Sequence, residues 1–213
     1  MAEFIRKNVD EHTFYAIWKI TERVEELESA IELREGEKQL YASFVAESRK
    51  KQWLAYRILV RELMKPGDYA VEYDTAGKPY LAGSDLHISV SHSGEMAAVI
   101  ISRNTRVGID IEKVRQRVYH VRERFLNAAE LGAISKEDDY EMLTLAWSAK
   151  EALYKLYGVR ELDFRENIRL ELPSEPGQIF SAGINYGREK ETFSLFSERI
   201  NGFVMVYVTG AVR

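Results

Sequence analysis

The feature that most limits how this chain can fold is a segment that occurs twice. Trp53-Leu-Ala55-Tyr-Arg57-Ile-Leu59-Val-Arg61 resembles Trp147-Ser-Ala149-Lys-Glu151-Ala-Leu153-Tyr-Lys155. After each comes a strand ending in glutamate (Glu72, Glu171), then paired glycines (Gly77 and Gly83; Gly177 and Gly183). Each run then closes with a hairpin, Ile88–Ile101 and Phe193–Val206. The shared order of helix, strand, glycine turn and hairpin implies an α+β protein built as a pseudo-twofold duplication of two similar α/β halves, residues 1–104 and 105–213. A length of 213 residues suits one large domain or two small ones and is enough to bury a core without staples.

Composition removes several function classes. There is no cysteine, hence no disulfide framework, no thiolate nucleophile and no Cys-based zinc or iron–sulfur site. The net charge of −4 and a pI near 5.7 argue against general nucleic-acid binding. No apolar run is long enough to span a membrane. The stretch Met1–His12 carries acids where a secretory signal has its apolar segment, so a cytoplasmic location is expected. One segment goes against the overall acidity. Lys113, Arg115, Arg117, Arg122 and Arg124 are opposed only by Glu123.

Patterning predicts a strand at Tyr15–Lys19, an acidic helix from Glu22 to about Arg34, and a helix from Arg49 to Met64 stopped by Pro66-Gly67. A short strand Ala70–Tyr73 precedes a turn at Thr75-Ala76-Gly77. A hairpin pairs His87–His92 with Met96–Ser102 around Ser93-Gly94-Glu95. Further strands are expected at Val107–Glu112, Ile168–Leu172, Phe193–Glu198 and Phe203–Thr209, with a helix Tyr140–Tyr157 ended by Gly158.

Three clusters could carry chemistry. In Val107-Gly-Ile-Asp110-Ile-Glu112, alternation sends Asp110 and Glu112 to one face, about 6–7 Å apart along the strand. Two hard carboxylates at that spacing can converge on Mg²⁺, or equally form the solvated face of an ordinary strand. On the helix at 140–157, Met142, Leu145, Ala146, Ala149, Ala152, Leu153 and Leu156 form an apolar stripe. Glu151 lies opposite that stripe with Trp147 and Lys155 one turn to either side, and Lys150 off to one side. A Glu–Lys pair of this spacing is often only a surface contact. An aromatic on the same face implies instead that the face is covered, by the other half or by a ligand. Finally, His87-Ile-Ser89-Val-Ser91-His92-Ser93-Gly94 offers hydroxyls, an imidazole and backbone N–H groups suited to phosphate oxygens, or a capped hairpin. Gly77-Lys78-Pro79 and Arg49-Lys50-Lys51 supply nearby cations.

Taken in order, Gly77-Lys78-Pro79, Ser89-Val90-Ser91-His92-Ser93, Gly108-Ile109-Asp110-Ile111-Glu112 and Trp147-Ser-Ala-Lys150-Glu151-Ala-Leu-Tyr-Lys155 resemble the 4′-phosphopantetheinyl transferases of the surfactin-activating (Sfp) type. The resemblance implies two α+β halves with the active site and coenzyme A between them, in a fused, monomeric chain. It implies transfer of phosphopantetheine from coenzyme A to a serine of an apo acyl or peptidyl carrier protein, releasing 3′,5′-ADP. By resemblance, Asp110, Glu112 and Glu151 hold Mg²⁺, or Mn²⁺ in its place. Lys155 with Lys150 neutralises phosphate oxygens, and Lys78, Ser91 and His92 grip the nucleotide end, with Lys51 at its 3′-phosphate. Glu151 is the first candidate for the base that takes the serine proton and Glu130 the second. The basic run Lys113–Arg124 would dock the carrier, acidic around its serine, by charge complementarity. The alternative is an inactive paralogue that binds carriers on the same fold.

Overall fold

The computed structural model describes residues 4–67, 69–134 and 138–211; the first residues of the amino-terminal stretch read above lie outside them. Two antiparallel sheets form the centre. The first runs in the order β1-β2-β6-β5, built from β1 (Phe4–Asn8), β2 (Thr13–Lys19), β5 (His87–Ser93) and β6 (Met96–Ser102). The second runs β7-β11-β10-β9-β8, from β7 (Arg106–Lys113), β8 (Ile168–Glu171), β9 (Ile179–Tyr186), β10 (Glu189–Ile200) and β11 (Phe203–Gly210). The order β2-β6-β5 in one sheet is repeated by β7-β11-β10 in the other. The remaining strands differ: β3 (Val71–Tyr73) and β4 (Pro79–Leu81) form a separate ribbon, whereas β8 and β9 extend the second sheet.

Alternation along the strands builds the layers. Tyr15 and Ile17 of β2, Met96, Ala98 and Ile100 of β6, Val107, Ile109 and Ile111 of β7, and Phe203 and Met205 of β11 share one buried cluster between the sheets. The intervening residues face outward onto helices. Ala16, Trp18, Ala97, Val99 and Ile101 pack with α3 (Glu47–Leu63) through Trp53, Leu54 and Leu59. Val204, Val206 and Val208 pack with α6 (Tyr140–Tyr157) through Leu145, Ala149, Ala152, Leu153 and Leu156. Each such side chain, fully buried, stabilises the fold by roughly 1.5–3 kcal/mol before entropy is counted.

The predicted helix 22–34 is two helices, α1 (Val24–Ser29) and α2 (Glu35–Ala42). The sequence restarts: Glu26 accepts from the Arg23 N–H and Glu37 from the Arg34 N–H, so each Arg-x-x-Glu begins its own helix. Leu27 is the only buried side chain on α1 and α2 has none, too little apolar surface to carry one helix through the break. Strands β1, β4 and β9 were not expected. The basic run leaves the end of β7 as a 3₁₀ turn (Gln116–Val121) and enters α4 (Arg122–Phe125); α5 (Ala128–Ala133) follows it. Helix α6 has its expected limits; Asp139 caps its first turn, and Gly158, with φ +76°, ends it. No helix among the described residues is long and apolar enough to cross a membrane.

Candidate active site

The second sheet meets α6 unusually closely at Gly108. A Cβ there would lie 2.0 Å from the carbonyl oxygen of Ala152, so β7 and α6 come together only because position 108 has no side chain. That contact brings the polar face of α6 over the outward face of β7. The Lys155 ammonium donates to Asp110 Oδ1 at 2.8 Å and to the Ile109 carbonyl at 3.1 Å. Glu151 is half-buried beside them. Burial first, then the charges of Asp110 and Glu112, push its carboxyl up to about 7 against the opposing pull of Lys155. Glu112 is also raised, by burial foremost. The face opposite the apolar stripe is therefore covered, as the presence of Trp147 implied. The cover over Trp147 comes, however, from Phe125 and Phe164 of its own half.

Strand β5 closes the cluster from the first half. The Ser91 hydroxyl donates to Asp110 Oδ1 (2.8 Å) and the Ser93 hydroxyl to Glu112 Oε2 (2.6 Å). Ser91 was expected at the nucleotide end; the structure turns its hydroxyl to β7 instead. Asp110, 3% exposed, keeps its Oδ2 buried with no partner. Such an atom is costly unless something binds it. Among the described residues no three His, Cys, Asp or Glu side chains are gathered to hold a metal ion unaided. Asp110, Glu112 and Glu151 thus do not form a closed shell. The donors still fit a hard cation of the Mg²⁺ kind, which commonly takes one or two carboxylates and completes its shell from phosphates and water.

Two cavities flank the cluster. One, about 230 Å³, lies between the halves and is lined by Arg49, Lys78, His92, Lys155 and Arg160 among others, with no acid among its described lining residues. His92 Nε2 accepts from Arg49 at 2.5 Å, and burial, then Arg49 and Lys155, lower the imidazole to about 4. It is neutral at physiological pH. Lys78 reaches the Leu156 carbonyl at 3.4 Å, its ammonium lowered by burial and by Arg106. Tyr56 and Tyr73 line the same cavity, their hydroxyls hydrogen-bonded to each other. The other cavity, about 280 Å³, has Val118, Val121 and Trp147 on its wall, Arg115 and Arg117 at its edge, and Glu112 at the cluster side.

Three expected residues stand elsewhere. Lys150 is completely buried on another side of α6. Its ammonium donates to Glu130 Oε2 and the carbonyls of Phe125, Phe164 and Ile168, at 2.7–3.1 Å. It has no freedom to meet a phosphate. Glu130 is 3% exposed, caps α5 through the Asn127 N–H and accepts from the Leu170 N–H. It has no route to a serine proton. Lys51 pairs with Glu47 one turn away and does not line the cationic cavity. Arg49, from the same basic helix opening, does, as does Arg160; Arg160 carried no sequence signal beyond its charge.

Residues 106–208 match the 4′-phosphopantetheinyl transferase superfamily. The matched residues take in β7 and all of α6, and so include Asp110, Glu112 and Glu151. The chain is 32% identical over 120 residues to the 4′-phosphopantetheinyl transferase AcpT of Escherichia coli, covering 52% of this chain and 59% of AcpT. It is 27% identical over 157 residues to the 4′-phosphopantetheinyl transferase HetI of Nostoc sp., covering 65% of each. It is 33% identical over 123 residues to enterobactin synthase component D of Salmonella austin, 53% of this chain and 49% of that protein. The matches to AcpT thus span about three fifths of its length.

Proposed function

We propose that the protein is a 4′-phosphopantetheinyl transferase of the fused, surfactin-activating kind, with coenzyme A between its halves and a carrier-protein serine as acceptor. The observation that carries the reading is the buried Oδ2 of Asp110, without a partner, on a carboxylate paired with Lys155, which itself lines a cavity rich in cations. The serine oxygen bonds to the phosphorus that carries pantetheine, the bond from that phosphorus to the bridging oxygen breaks, and 3′,5′-ADP leaves with that oxygen. Such a displacement needs positioning and charge neutralisation more than covalent help.

The chain's own groups divide this work. Arg49, Lys78 and Arg160 hold the nucleotide phosphates in the cationic cavity. Lys155 stabilises charge that grows on the departing pyrophosphate oxygen. Glu151, beside Asp110 and Lys155, takes the serine proton. Neutral His92 offers a hydrogen bond without adding charge. Asp110, with Glu112 and Glu151, would hold Mg²⁺ or Mn²⁺, whose chemistry there is to draw charge from the phosphate oxygens. The cavity lined by Arg115 and Arg117 reaches the cluster at Glu112, which suits entry of an acidic carrier along the basic run.

The test is direct. The protein is incubated with coenzyme A, Mg²⁺ and a panel of apo acyl and peptidyl carriers, and each carrier is weighed by mass spectrometry. Addition of one phosphopantetheine to a carrier, lost on Asp110→Ala, is the expected result. Coenzyme A binding with no addition to any carrier would favour instead a carrier-binding paralogue without activity.

A further inference from the structure

Strand β5 and strand β7 are edge strands of different sheets, and they meet through side chains. Ser89, Ser91 and Ser93 project from one side of β5 and are 2%, 6% and 7% exposed. Their hydroxyls accept from the backbone N–H groups of Ile109, Ile111 and Lys113 at 3.1, 3.2 and 3.3 Å. The edge donors of β7, which would otherwise be buried without acceptors, are thereby satisfied. Two of the three hydroxyls do more. Each of these accepts from one residue of β7 and donates its own hydrogen to the carboxylate just before it: Ser91 to Asp110, Ser93 to Glu112. The Ser89 hydroxyl has no such carboxylate, because position 108 is glycine.

We infer that Ser91 and Ser93 are positioning residues, which orient the Asp110 and Glu112 carboxylates from the opposite half of the molecule so that the cation-binding geometry exists before a cation arrives. The inference rests on the reading of Asp110 and Glu112 as cation ligands. Its physical basis is that a hydroxyl held at its oxygen by a backbone N–H has one direction left for its hydrogen. The carboxylate that accepts it loses a rotamer search that would otherwise oppose binding. Ser93 also lies outside the residues that the resemblance assigns to the nucleotide, Lys51, Lys78, Ser91 and His92.

The built-in control is Ser89, which stitches the seam but holds no carboxylate. Mn²⁺ binding to the full chain, without coenzyme A or carrier, is followed by loss of the free-ion electron paramagnetic resonance signal. Ser91→Ala and Ser93→Ala are expected to weaken Mn²⁺ roughly 10-fold or more, the usual effect of removing a group that orients a ligand. Ser93→Thr, which keeps the hydroxyl, restores affinity, and Ser89→Ala stays near the wild-type value. Equal weakening by all three alanine variants would mean that the serines only close the seam, and would overturn the inference. So would wild-type affinity in Ser93→Ala. Absence of Mn²⁺ binding by the wild type would overturn the cation-ligand reading itself, and this inference with it.

Discussion

Helix α6 carries two lysine–carboxylate pairs that differ in one respect. Lys150 and Glu130 are both enclosed, and the ammonium meets four oxygens, each within 3.1 Å. Lys155 is 27% exposed at its side chain, meets two oxygens, and leaves Asp110 Oδ2 bare. The first pair is saturated and has nothing to offer a ligand. The second is held in place yet incomplete, the condition expected of a site that completes itself with substrate. Sequence spacing sets Lys150 off to one side of the face that carries Glu151 and Lys155, and the count of acceptors around each lysine separates the saturated one from the open one.

The contrast can be broken by deletion. Lys150→Ala leaves a buried carboxylate and three carbonyls without their donor, and is expected to lower unfolding free energy by about 3–5 kcal/mol, read by urea denaturation. Lys155→Ala should lower kcat/KM for carrier modification by about 100-fold or more while its denaturation midpoint moves much less than that of Lys150→Ala. Equal stability losses in the two variants would erase the distinction. Glu130→Gln sharpens it: a loss of about 1–3 kcal/mol from a buried network, with kcat/KM at the wild-type value in protein that is still folded. A large drop in turnover would return Glu130 to the chemistry.

The smallest expected effect concerns His92. Its folded value of about 4 lies below the ordinary 6.5, chiefly through burial and then through Arg49 and Lys155. Between those pH values the unfolded chain binds a proton that the folded chain does not, so stability contributed above 6.5 is lost as pH falls towards 4. His92→Gln removes this linkage. Urea denaturation of the protein without ligands should show a shallower acid decline for the variant over that window, and an unchanged slope would contradict the buried, neutral imidazole.

Much of this architecture can be read in the letters because its elements are periodic and well punctuated. Helix α6 has an Asp cap, a continuous apolar stripe and a terminal glycine, and its limits agree with the pattern. Strand β9 is less legible: Gly183, which the repeat places in a glycine turn, lies inside the strand, between the buried Ala182 and Ile184. Just past the basic run, the start of α5 was written in Asn127 and Glu130, a reciprocal cap whose carboxylate also reads as a candidate base. Asp110, Glu112, Glu151 and Lys155 share one neighbourhood, as their order along the chain suggested. What the letters could not convey was which way Ser91 and Lys150 turn. Both depend on contacts between segments far apart in sequence: β5 against β7, and α6 against the turn at Phe164 and strand β8.

The empty space at Gly108 has a mechanical consequence. With no side chain between β7 and α6, the helix rests directly on the strand, close enough for Lys155 to reach both Asp110 and the Ile109 carbonyl. A single methyl at that position would act as a wedge, tilting α6 outward about its packed apolar stripe and lifting Glu151 and Lys155 together from the acids beneath. The reach of α6 over the acids is therefore gauged by an absent atom, and the tolerance of the whole cluster is the width of one carbon.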